Sequence, residues 1–529
     1  MTGTASTPDE IMFVVNRLGY GPRAEEYNGL LKQGVNGWLE EQLSAPEGDD
    51  AVVSKHIQNC VLHIKYDAVQ DKWPAVDEMR PLYSLSRPID ELWALFDPQK
   101  QINGQERGRP RLEVIAATMI RAVYSRYQLR EIVSQFWHDH FHVNAFTDDH
   151  IAVALPVYDR DVIRKHSFGN FREMLEAVAS STAMQYYLSN HSSRAGSANE
   201  NYARELFELH SFGRENYLND HYDRWRDVPG AADGHPSGYI DQDVYEAARA
   251  FTGWTVEDGG QVDNGRKLPA TGKFTYVENW HDGYQKRVLA NDFDPFAPPM
   301  ADGRKVLDLI AEHPATAEHM ATKLCVRFLG PNPPTSLTSR VADKWKKTVH
   351  APDQIAQLIR LIVLAPEFMQ SRGSKVKRPL ALMASYARIM GYDFTPSEGL
   401  FNQLSAAGQR LFGAPTPVGL PDDNGIFLGP NAMRNRWGLL LGLANNSWGN
   451  GIPDAARALQ SWGGRAETGR ISVAEWFRLF GVGGGEPLID TVVVAAGLVP
   501  FAPVNGGDDI KHLAVAAAIA GMSPEFQVC

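Results

Sequence analysis

The chain has 529 residues, 43% hydrophobic and 22% charged, which excludes a disordered or fibrous protein and leaves enough length for a large buried core. Sixty-three acidic against 52 basic residues give a net charge of −11 with no basic run, which argues against a nucleic-acid partner. Cys60, Cys325 and Cys529 are far apart and odd in number, so neither a disulfide framework nor a zinc knuckle is expected.

Taken in chain order, "STPDEIMFVVNRL" opens a helix with Thr7 as N-cap and Pro8 at the first helical position. No basic leader or long apolar region marks an export signal, and no apolar stretch approaches the roughly 20 residues that span a bilayer. A soluble cytoplasmic protein without a membrane partner is expected. Further amphipathic helical runs follow near Pro22 to Gln33, Glu113 to Ser125, Phe171 to Ser180 and Ala198 to Phe212. Others follow near Asp243 to Phe251, Ala315 to Phe328 and Pro379 to Met390. Between Asn219 and Gly238 the polar composition reads as a long loop. From Trp254 to Pro299, glycines and prolines surround "KFTYVENWHDG", whose alternation suits a strand or hairpin.

The expected fold class is therefore mainly α, a multi-helix globular protein with a small β-hairpin or loop insert around 254–299. "GPNPPT" at Gly330 and "GAPTPVGLPDDNG" at Gly413 break the helical pattern. They suggest a main helical domain over 1–330, carrying the site, and a C-terminal helical region over 331–529 packed on it.

The chemistry concentrates first in "FWHDHFHVN", Phe136 to Asn144. If the helix beginning near Leu129 runs through it, His138 and His142 share one side and His140 lies opposite. If the helix stops near Trp137 and the chain extends, His138, His140 and His142 converge on one ligand. Histidines at a helix end also suit the negative end of its dipole, which is the bland reading. The second concentration is "ANENYARELFELHSFG", where Gly213 is a natural helix stop. Glu200, Asn201, Arg204, Glu205 and Glu208 occupy one arc of that helix, and His210 faces inward. A solvated ion-pair ladder is its bland reading. Asp243 and Arg249 lie near the start of a helix with Trp254 at its end, and "WHDGYQKRVLA" adds His281 and Asp282.

In order, "NRLGYGP", "FWHDHF", "NENYARELFELHSFG", "DVYEAARAFTGW", "HDGYQKRVL", "HPATAEHMATKL" and "LAPEF" resemble the bacterial family catalogued as domain of unknown function number 1800. The resemblance spans most of the chain and implies no activity. It implies export beside a partner of another uncharacterised family, and this chain departs from that by lacking a signal.

The reading these residues support is a hydrolase, metal-dependent and acting on a small molecule such as a sugar or glycoside. Its metal ligands would be His138, His140, His142, His210 and His281, around a divalent zinc, iron or manganese ion. Asp139, Glu200, Arg204, Glu205, Glu208 and Asp243 would serve in catalysis, and Trp137, Asn201, Arg249, Trp254 and Asp282 in substrate binding. Two carboxylates alone would suffice for a glycosidase. The rival readings are an iron or haem oxidoreductase and a non-catalytic scaffold or assembly partner.

Overall fold

In the computed structural model, which describes residues 7–263 and 265–529, helix Pro8–Arg17 starts with a reciprocal cap. The Glu10 carboxylate accepts from the Thr7 N–H at 2.7 Å, and the Thr7 hydroxyl accepts from the Glu10 N–H at 3.3 Å. Helix 379–390 begins at Pro379, where the expected run begins, and helix 314–329 begins at Pro314, one residue before its expected run. Helix Ala24–Leu43 is longer than the expected run and is interrupted at Gly34, where φ is +69°.

Helices dominate the described residues, and the strands form only two-stranded antiparallel sheets. The fold is mainly α. No helix is long and apolar enough to cross a membrane. The insert after Trp254 pairs Trp254–Asp258 with Ala270–Tyr276 and Lys286–Val288 with Asn291–Phe293. A further hairpin, Val61–Tyr66 with Val76–Pro81, lies outside the expected β region. Its charged, largely exposed residues blur the alternation by which strands are read.

The main apolar core includes Ile11, Phe136, Leu324, Tyr386, Trp476 and Phe526, so residues on both sides of position 330 contribute. Arg17 reinforces that joining. Its guanidinium donates to Phe328 O at 2.7 Å, Leu329 O at 2.9 Å, Ser371 O at 2.8 Å and Cys529 O at 2.5 Å. One buried side chain thus ties the first helix to backbone more than 300 positions away.

The expected Gly213 stop is replaced by an earlier one, because helix Glu200–Glu208 ends a turn before it. Past Glu208 the His210 N–H bonds Glu205 O and the Phe212 N–H bonds Phe207 O, so the last turn widens. Ser211 takes Leu206 O with its hydroxyl. Gly213, at φ +83°, then turns the chain away.

Candidate functional site

Helix Gln128–His140 persists through His138 and His140 and is capped at Phe141. Leu129, Val133, Phe136 and Trp137 are buried along it, so packing holds it in place to its last turn. The helical step consequently separates the histidines, and the three-ligand convergence expected from an early stop does not form. His138, Asp139 and His142 line one cavity of about 400 Å³, while His140 faces His210.

His138 Nε2 lies 2.9 Å from Asp159 Oδ1, and both side chains are buried. Asp159 also bonds Arg121 at 3.0 Å, and Arg121 grips Asp49 at 2.8 and 2.9 Å. Burial pushes the Asp159 carboxyl up, but Arg121, the His138 hydrogen bond and Arg164 outweigh it and hold it well below the usual carboxylate range. Asp159 stands on a π-helical turn, Tyr158–Arg164, that follows Pro156. Pro156 removes a donor from the helical ladder, and such widened turns recur at functional sites. Asp159 further lines a second cavity of about 770 Å³ with Arg121 and Arg164. The dyad therefore stands in the wall between two cavities.

On the opposite side, His140 Nε2 lies 3.2 Å from His210 O, and the two rings are 6.1 Å apart. Burial, then the nearby Lys323 charge, pushes both imidazoles down, His210 to about 3. Both are neutral at ordinary pH. Helix Pro314–Leu329 brings His319 and Lys323, one turn apart, to this region. His319 pairs with Glu215 at 2.9 Å, and burial lowers the Lys323 amine to about 8.

Below the helix end, Asp139 pairs with Arg378. Arg378 also reaches Asp422 at 3.0 Å, which Lys375 and Arg327 approach at 2.7 and 3.2 Å. His142 Nε2 sits 3.1 Å from Ala414 O, and burial lowers its pKa. Gly419, at φ +71°, lies so close that a Cβ there would sit 2.1 Å from Asp139 O. Close backbone approach thus fixes the cavity's far wall.

Each of the other expected site residues has contacts of its own. His281 is bound by Thr252 O at 2.9 Å and Asp302 at 3.2 Å, away from the other histidines' partners. Asp282 is clamped by Arg249 at 2.7 and 3.1 Å, and Arg249 also holds Glu246 at 2.6 Å. Asp243 accepts from the Ile240 and Leu289 N–H groups at 3.0 and 2.7 Å, and burial pushes its carboxyl up to about 6. Trp137 and Trp254, expected to face substrate, are fully buried, and Trp137 donates to Ser167 O at 3.0 Å. Asn201 donates to Leu188 O at 3.3 Å. Among the described residues no group of three or more His, Cys, Asp or Glu is arranged to hold a metal ion.

Glu200, Arg204 and Asp241 form a surface ladder at 3.1 and 2.9 Å, and Glu208 pairs with exposed Arg214 at 3.0 Å. Glu205 is half-buried, and burial, then Glu208, pushes its carboxyl up. Arg204→Ala is expected to change unfolding free energy by no more than about 0.5 kcal/mol in denaturant titration, since exposed pairs contribute little. A loss above about 2 kcal/mol would show the ladder to be structural.

A family model described as Protein of unknown function (DUF1800) matches residues 13–528. The chain belongs to this family. No curated protein and no solved structure shows significant similarity to it. In this DUF1800 chain, three of the segments that carried the resemblance meet at one helix end: "FWHDHF" supplies His138 and His140, "NENYARELFELHSFG" supplies His210, and "HPATAEHMATKL" supplies His319 and Lys323. Sequence reasoning named the first two as site segments and missed His319 and Lys323, although their segment was in view. Asp159, Arg121, Arg378 and Asp422 were missed altogether. Pro156, inside a helical run, was the one local signal that could have flagged Asp159.

Proposed function

We propose that the protein is a hydrolase in which His138, oriented by Asp159, is the acid/base group at the wall of the 400 Å³ cavity. The observation that carries this reading is the 2.9 Å bond between His138 Nε2 and a buried, charge-stabilised carboxylate. That bond fixes Nε2 as the protonated nitrogen and leaves Nδ1 with its lone pair. Nδ1 takes a proton from water as it attacks, and Asp159 stabilises the imidazolium until the proton passes to the leaving group. Gln135, Gln409 and Thr416 supply polar contacts on the cavity wall and Phe412 an aromatic ring, which suits a sugar-sized substrate. Asp139, neutralised by Arg378, and neutral His142 add hydrogen-bonding capacity without a net negative field.

The test is turnover of chromogenic aryl glycosides and aryl esters by the wild-type chain and by His138→Gln. Glutamine keeps a donor near the Nε2 position and cannot take up a proton. Turnover is expected to fall about 100-fold or more with the melting temperature little changed. Equal turnover by a folded His138→Gln protein would reject His138 as the acid/base group.

A further inference from the structure

A different cavity, of about 290 Å³, lies between the hairpin 61–81, helix Gly104–Tyr124 and the segment Thr395 to Phe401. Leu112, Ile115, Met119 and Phe401 give it an apolar wall, and its volume is near the lower end of the roughly 300–1,000 Å³ typical of small-molecule sites. Trp448 closes one side and is held rigidly. A Cβ on Gly442 would lie 2.0 Å from its Cη2, and one on Gly399 would lie 2.9 Å from its Cδ1. The indole therefore rests on two helices that lack side chains where it passes, a preformed aromatic wall. At the mouth the hairpin leaves Val61 and Met79 exposed, 40% and 58%, beside that apolar surface. Thr395, Ser397 and Glu398 gather in the same lining, and Glu398 has no ion-pair partner among the described residues.

We infer that this cavity binds a small hydrophobic amine, with an aromatic or branched aliphatic body against Trp448, Phe401 and Met119 and its ammonium group at Glu398. Burial of the body gives the affinity, since it removes apolar surface from water on both partners. The unpaired carboxylate selects the charge of the head. No group of the His138 site lines this cavity, so binding here is independent of hydrolysis.

Calorimetric titration of the full chain with 2-(1-naphthyl)ethylamine, the matching alcohol and the matching carboxylic acid tests the inference. The amine is expected to bind one-to-one and saturably, about threefold tighter than the alcohol, with the acid weakest. Glu398→Gln should bring amine and alcohol to equal affinity. Ala116→Leu, which fills the cavity from helix Gly104–Tyr124, should weaken amine binding about tenfold or more. Absence of saturable one-to-one binding, or unchanged affinity in folded Ala116→Leu protein, overturns the site, and equal binding of the alcohol by the wild type overturns the amine assignment. If Ala116→Leu fails to fold, a diazirine derivative of the amine is photolysed on the wild-type chain. Adducts on Met79, Met119 or Phe401 support the site, and adducts elsewhere overturn it.

Discussion

Asp422→Asn is expected to destabilise the fold by about 3–5 kcal/mol, the usual cost of removing one partner from a buried ion pair. Asp422 is the shared counter-charge of Lys375, Arg378 and Arg327, at 2.7, 3.0 and 3.2 Å, and all four side chains are largely buried. Burial alone would raise its carboxyl, yet the three cations hold it well below the ordinary range. Asparagine keeps the volume and removes the charge. Arg378 would still have Asp139, whereas Lys375 and Arg327 would keep only hydrogen bonds to carbonyls, Arg327 O and Ile132 O. Denaturant unfolding at neutral pH, compared at equal slope, measures the loss. A change below about 1 kcal/mol would mean that water already screens these cations.

Acid should weaken the fold through its buried imidazoles, opposed between about pH 6 and 4 by Asp243, whose raised carboxyl takes up a proton first in the folded chain. His140 and His210 are neutral in the folded chain, with His210 lowered to about 3, while an unfolded histidine titrates near 6.5. At these two positions the unfolded chain therefore binds more protons than the folded one below about pH 6.5, so their contribution to stability falls as pH drops until the folded values are reached. The stability is complete above the unfolded value and lost below it. For His210 alone the loss between pH 6.5 and 3 is on the order of 3–5 kcal/mol. Asp159 and Asp422, both depressed, add their losses only below about pH 4. His210→Gln should flatten the dependence between about pH 6.5 and 4.5, whatever its absolute stability. An unchanged slope over that range would show that His210 is protonated in the folded state.

The helices were legible where local signals agree, as at the Thr7 cap and at Pro379, and the insert after Trp254 was legible from its glycines, prolines and alternation. The helical register of "FWHDHFHVN" was one of two readings, and burial of Phe136 and Trp137 decides it. The partners were not legible. Asp159 lies 21 positions from His138, in "YDRDVIR", where the nearby Pro156 is the one hint and nothing inside the segment separates it from the exposed Asp161 two residues on. Asp422 lies in "GLPDDNG", which reads as a turn. Pairing of side chains across the fold leaves no periodicity in either segment. The surface character of Glu200 and Arg204 was legible as the bland alternative, because helical spacing places them together whatever surrounds the helix.

The Arg17 clamp also sets a schedule for the newborn chain. Its carbonyl partner at Ser371 is made 354 residues after Arg17, which at roughly 5–20 residues per second is about 20–70 s of synthesis. Through that interval Ile11, Phe13, Val14 and Val15, all buried at the end, lack part of the surface that will cover them. Helix Pro8–Arg17 is thus secured long after it is made, and a ribosome-bound chain stopped before residue 371 should expose it to protease while a chain carried past 529 protects it.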